Sequence, residues 1–142
     1  MMRAILLPVG ADWFALPIES LRRVIAEPDV APLPTAPATV VGVFNVRGEI
    51  VPLLDTAALL GLGRMTSTPF AAVVDSPWGL VALALGGVPE PVELERRVDA
   101  AQVPPVPGAV AVHDAGERVA VLLEPQGLLE PVRAAAMGGT LP

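Results

Sequence analysis

A chain of 142 residues is the size of one domain and can bury about 68–70% of the surface it exposes when unfolded. Apolar residues make up 53% of it and charged residues 17%, a balance that argues against disorder except at the ends. The formal charge is −6, all nine cations are Arg with no basic run, and Cys is absent; this excludes a phosphate-tracking surface, a polybasic membrane anchor, a disulfide framework, a thiolate nucleophile and a Cys-ligated metal.

The predicted elements are short, because seventeen Pro and thirteen Gly leave few places for a helix of ordinary length. The first apolar run ends at Val9 and Asp12 follows, too short for the ~7–15 residues of a signal h-region, so it reads as a first strand in a cytoplasmic protein. "AILLPV" (4–9) and "WFALPI" (13–18) flank the turn "GAD" and predict a hairpin. From Ile18 to Val24 the apolar residues Ile18, Leu21 and Val24 fall three apart, which reads equally as a helical turn or a strand, with Arg22 and Arg23 facing away from the stripe. "EPDVAPLPTAPAT" (27–39) carries four Pro and predicts an extended connector.

"VVGVFNV" and "IVPLLD", separated by "RGE", predict a second hairpin with Arg47 at its tip. "TAALLGLG" (56–63) then reads as a short helix with Thr56 as N-cap and a terminating Gly. "FAAVVD" and "LVALAL" about "SPWG" make a third hairpin, and "AVAVH" and "RVAVLL" about "DAGE" a fourth, followed by a short helix in "PQGLLE". No apolar stretch approaches the ~20 residues of a membrane-spanning helix. Strands at this spacing indicate an all-β barrel or sandwich, and the partial likeness of "IVPLLDTAALLGL" to "VAVLLEPQGLLEP" suggests two related small barrels.

Little in the chain points to catalysis. The single His, His113, sits beside a turn and reads as solvated, and scattered carboxylates form no metal motif. Asp55, Asp75 and Glu124 each end a predicted strand, where capping the next turn or helix is the ordinary role and an acid/base pair the alternative. No Gly-rich stretch has the context of a phosphate loop. What remains is binding surface: Arg47, with a planar five-donor head suited to a protein partner, and Trp78, either an exposed anchor or a cover for a barrel end.

"NVRGEIVPLLD" (45–55) resembles the Asn-x-Arg-Gly-x-x-x-Pro-x-x-Asp signature of CheW-like domains, the coupling module of chemotaxis. The flanks agree: "GADWFALPIESLRRVI", "APLPTAPATVVGVFN" and "VAVLLEPQGLL" are similar to the family's opening hairpin, its approach to the signature and its closing strand and helix. The resemblance covers roughly 4–129. It implies an all-β fold of two small SH3-like five-stranded barrels sharing a core, with one or two short helices. As boundaries it implies a single domain over 1–133, with two intertwined sub-barrels at roughly 18–68 and 69–123 plus the N-terminal strands, and a flexible tail at 134–142.

It further implies a cytoplasmic adaptor without catalysis, metal or cofactor, joining the cytoplasmic tip of a chemoreceptor to the regulatory domain of a CheA-type histidine kinase. Nucleic acid and membrane insertion have no part in it. Partner binding carries over to Arg47, with Asn45 and Gly48 shaping the hairpin, and to Leu21 and Arg23 in the segment that lines the family's receptor groove. The chain departs from the family at Arg22 and Arg23, where an acid is usual, at Gly86 and Gly87, and at Glu124 in place of Asp. It is also shorter between Gln102 and Arg118, which leads us to expect an incomplete second barrel. Two alternatives stand beside the adaptor: a diverged scaffold for a pili or other non-flagellar signalling system, and a β-barrel module that senses an apolar small molecule.

Overall fold

The computed structural model describes residues 2–98 and 103–140, of which 133–140 as backbone only. β1 (Met2–Val9) and β2 (Asp12–Pro17) form the first hairpin, turning at Gly10 and Ala11, where Gly10 takes φ +61°. The ambiguous segment is both things in succession, a 3-10 turn (Ile18–Ser20) and then β3 (Leu21–Ala26). After the Pro-rich connector come β4 (Val40–Val46), β5 (Glu49–Leu54) and a one-turn helix, α1 (Thr56–Leu59). β6 (Phe70–Ser76) and β7 (Gly79–Leu85) form the third hairpin, β9 (Ala109–Ala115) and β10 (Arg118–Leu123) the fourth.

Three elements differ from expectation. β8 (Glu90–Leu94) was not among the predicted strands; it pairs with β1 at the edge of its sheet, where its Pro91 costs little because one side needs no donor. The N-cap of α1 is Asp55, whose Oδ1 accepts from the Ala58 N–H at 3.0 Å, and Thr56 is the first helical residue. α2 (Pro125–Thr140) runs well past "PQGLLE", through residues expected as tail, and carries Pro131 within it. Residues 141 and 142 of that expected tail, like Gln102 in the shortened segment, lie outside the described residues.

The strands form two five-stranded sheets, in the orders β8-β1-β2-β10-β9 and β3-β6-β7-β5-β4. Each contains one short parallel contact, Phe14 and Ala15 beside Val121 and Leu122 in the first, Leu53 and Leu54 beside Ala82 and Leu83 in the second. Each sheet also closes on itself through the chain that follows its edge strand. Ala31 and Val43 exchange two backbone bonds at 2.8 and 2.9 Å, bringing the chain after β3 onto β4. On the other side, Glu95, Arg96 and Val98 bond the backbone of Asp114 and Val112, bringing the chain after β8 onto β9. β9 and β10 are both present and this sheet has its five strands, against the expectation of an incomplete second barrel.

The division at 68/69 does not match the sheets. β1, β2, β8, β9 and β10 make one and β3–β7 the other, so β6 and β7 sit with strands from the first half of the chain. The reason is an exchange. A unit of hairpin, edge strand, hairpin and helix occurs twice, β1–α1 and β6–α2, and each unit's first hairpin pairs into the sheet that holds the other three strands of its counterpart. The equivalence extends to single bonds: Asp55 N–H donates to Thr39 C=O and Glu124 N–H to Gly108 C=O, both at 2.8 Å, just before α1 and α2.

Burial follows from this arrangement. Leu7, Leu16, Val74, Leu83, Leu123 and Leu128 are among the residues of a central cluster between the sheets, while Ala4, Leu6, Ala15 and Leu122 fill one barrel and Val51, Leu53, Ala71 and Ala82 the other. Strands such as β6 and β7 bury both faces, which is why "AAVV" and "ALAL" read as unbroken apolar runs rather than alternating ones. Several barrel-interior positions are Ala, as a narrow interior demands.

Candidate functional site

The β4–β5 register pairs Val46 with Glu49 and leaves Arg47 and Gly48 as a two-residue turn. Both have positive φ, +52° and +88°, the condition of a type I′ turn, whose twist matches that of the flanking strands. Asn45 holds it: its Oδ1 accepts from the Gly48 N–H at 2.8 Å. Asn45 and Gly48 thus shape the turn, as expected of them, and Arg47 is displayed on it.

Below the turn lies a groove of about 350 Å³ lined by Arg22, Arg23, Val46, Arg47, Glu49, Val73 and Leu80. A β-bulge between Leu21 and Arg23, where β3 pairs with β6, leaves Arg22 as the extra residue. Arg22 is exposed and ion-paired with Asp75 through both Nε and Nη2; the hydrogen bond first, and the charge attraction second, raise its pKa further above the ordinary value. Arg23 is half-buried. The two cations therefore do not both face away from the apolar stripe: Arg22 is the extra, exposed residue of the bulge, whereas Arg23 is paired opposite Val73. Leu21 packs partly buried against the central cluster and does not line this groove.

The carboxylates considered for acid/base work have separate structural roles. Asp55 is buried and also accepts from the Met65 N–H, at 3.2 Å to Oδ2, so it ties the start of α1 to the loop that leads to β6. Asp75 holds Arg22. Glu124 stands before α2, its carbonyl accepting from the Leu128 N–H. His113 lies within β9 rather than at a turn, and its Nδ1 meets the Glu95 carbonyl at 3.1 Å; a carbonyl only accepts, so Nδ1 carries the proton. Among the described residues no group of three or more His, Asp or Glu is placed to hold a metal, and no helix is long and apolar enough to cross a membrane.

Trp78, 43% exposed at the β6–β7 turn, borders a second, larger groove of about 760 Å³. Its walls are apolar: Leu33, Pro34 and Pro37 of the connector, Val40, Val81, and Leu129 and Val132 of α2. Trp78 is thus partly an open surface and partly a wall.

The CheW-like domain model matches residues 3–133. The chain belongs to the CheW-like domain family. Among curated proteins it is similar to chemotaxis protein CheW of Rhizobium meliloti, 39% identical over 54 residues that make up 38% of this chain and 35% of that protein. Chemotaxis protein CheW of Thermotoga maritima is 35% identical over 84 residues, 56% of each chain. These alignments span about a third to just over half of the relatives' length. Among solved structures, the scaffolding protein TtCheW of Thermoanaerobacter tengcongensis superposes with a TM-score of 0.75 over 90% of this chain and 87% of that one, at 15% identity, a likeness of fold.

In this CheW-like domain the signature residues divide by function in the fold. Asn45, Gly48 and Asp55 are spent on the turn and on α1, whereas Arg47 makes no ion pair or side-chain hydrogen bond among the described residues. Arg47 and Arg23 come together in one groove, and Leu21 does not join them. Sequence reasoning missed Val73 and Leu80, which complete the groove from a hairpin distant in the chain, and Glu49. Only Glu49 carried a signal, as the residue next to the turn.

Proposed function

We propose that the chain is a non-catalytic, cytoplasmic adaptor that couples the cytoplasmic tip of a chemoreceptor to the regulatory domain of a CheA-type histidine kinase in chemotaxis signalling. The observation that carries the reading is the Arg47 turn. A non-Gly residue in the left-handed region costs about 1–3 kcal/mol, and a turn of this type favours Asn or Gly there. Such strain persists at functional positions, and here it presents a guanidinium with no intramolecular use beside a groove. Membership of the CheW-like family and the two-barrel architecture agree with this reading.

The test is a calorimetric titration against the kinase regulatory domain and the receptor tip from the same genome, with Arg47→Glu as a second sample. The adaptor reading expects binding to both, receptor binding lost in Arg47→Glu, and kinase binding and the β-type circular dichroism spectrum retained. Unaltered receptor coupling in that variant would count heavily against it. The small-molecule reading draws on the apolar groove beside Trp78, and a ligand-dependent rise in melting temperature would favour it.

A further inference from the structure

Four charged side chains line the groove under the Arg47 turn, and they are not equivalent. Arg22 is neutralised by Asp75, which leaves Arg23, Arg47 and Glu49. Neither Arg23 nor Arg47 has an ion-pair partner among the described residues. The groove is thus locally cationic, by two guanidinium groups against one carboxylate, on a chain whose formal charge is −6. Its floor is apolar, formed by Val46, Val73 and Leu80, and Arg23 lies half-buried beside it. A long Arg stem packs well against such a floor while its head stays available.

Resting on the adaptor reading, we propose that this groove recognises a carboxylate-bearing segment of its protein partner, with an Asp or Glu of the partner received between Arg23 and Arg47 and an apolar neighbour of that residue set on Val46, Val73 and Leu80. Three features select this occupant. The guanidinium fork matches a carboxylate in a bidentate way. A floor that sheds water strengthens the pair over one on open surface. A basic partner segment would meet two unpaired cations and be rejected, so Arg23 serves discrimination as well as affinity. Arg23 is a specificity residue of the same face whose contact residue is Arg47.

The experiment uses the full chain and the soluble receptor tip from the same genome, as unaltered protein and with the acidic residues of its tip changed to Gln. Arg23→Glu and Arg23→Gln are measured with Arg96→Glu as a charge-matched control, since Arg96 is exposed and lies in the other barrel. The expected result is a loss of about tenfold or more in affinity for Arg23→Glu, a smaller loss for Arg23→Gln, little change for Arg96→Glu, and weak binding by the Gln-substituted tip with no further loss from Arg23→Gln. Affinity of the unaltered pair falls as salt is raised. If the tip binds and Arg23→Glu or Arg23→Gln binds as tightly as the unaltered chain, the inference is overturned and the adaptor reading stands. Should the unaltered chain bind neither the tip nor the kinase domain, the adaptor reading fails and takes the inference with it.

Discussion

Gly42 sits in β4 with a backbone conformation open to any residue, so replacing it by Ala tests space alone. An ideal Cβ there would lie 2.4 Å from the Ala31 carbonyl oxygen, 2.7 Å from Val30 Cγ1 and 3.0 Å from the Ala31 carbonyl carbon. Ordinary contact begins at 3.4 Å, so the connector must retreat by the difference, 3.4 − 2.4 = 1.0 Å. Ala31 is also the residue that closes this barrel through its two bonds with Val43, at 2.8 and 2.9 Å. Lengthened by such a shift, both leave hydrogen-bonding range. Two lost bonds at about 0.5–1.5 kcal/mol each, with an overpacking cost of about 1–3 kcal/mol, put Gly42→Ala at about 2–6 kcal/mol. In a chain of this size that lowers Tm by about 5–20 °C. Thermal unfolding followed by circular dichroism, with hydrogen exchange at the Ala31 and Val43 amides, reads both the cost and its cause. A Tm within about 2 °C of the unaltered chain, with both amides still protected, would refute the claim that the connector closes the barrel at this point.

Gly48→Ala meets open space but keeps φ +88°, so it should cost only about 1–2 kcal/mol of backbone strain, less than Gly42→Ala in the same thermal assay. Asp55→Ala removes both the cap of α1 and the Met65 bond and should cost about 2–4 kcal/mol in urea unfolding; Asp55→Asn keeps one acceptor oxygen and should cost less, and equal costs would show that the second bond carries nothing. Thr56→Val keeps the buried volume but loses the 2.6 Å bond from Oγ1 to the Ala84 carbonyl, an expected loss of about 1–2 kcal/mol by urea denaturation at unchanged m-value. Arg118→Ala removes the 2.9 Å bridge to Glu90 and the guanidinium 4.0 Å over the Trp13 ring, and should cost about 0.5–1.5 kcal/mol with a change in Trp fluorescence.

The groove was partly legible beforehand. Arg47 stood out because a cation between two apolar runs has no core to enter, and the "RGE" that separates them marks a hairpin tip. Arg23 was named for partner binding and also stood out as a departure in charge. The bulge in β3 then separates it from Arg22, and the pairing of β3 with β6 brings Asp75 to Arg22 and leaves Arg23 beside Val73. Leu21, named from the segment that lines the family's receptor groove, precedes the bulge and packs against the central core rather than in the groove under Arg47.

The four hairpins, the all-β class and the displayed Arg47 follow from the sequence by itself. Apolar runs bounded by Gly and Pro, and residues needing positive φ, act within a few positions of the chain, where no distant partner can change the outcome. Even the repeat showed locally, as two strand-to-helix segments that occupy equivalent places in the fold. Which hairpin pairs with which strand was decided only by tertiary structure. Two similar units offer nearly interchangeable apolar faces, and only burial on both sides of β1, β2, β6 and β7 decides their exchange. The same long-range pairing recruits β8 despite its proline and closes each barrel through Ala31 or the segment 95–98. It sets Val73 and Leu80 beneath a turn formed some thirty residues earlier.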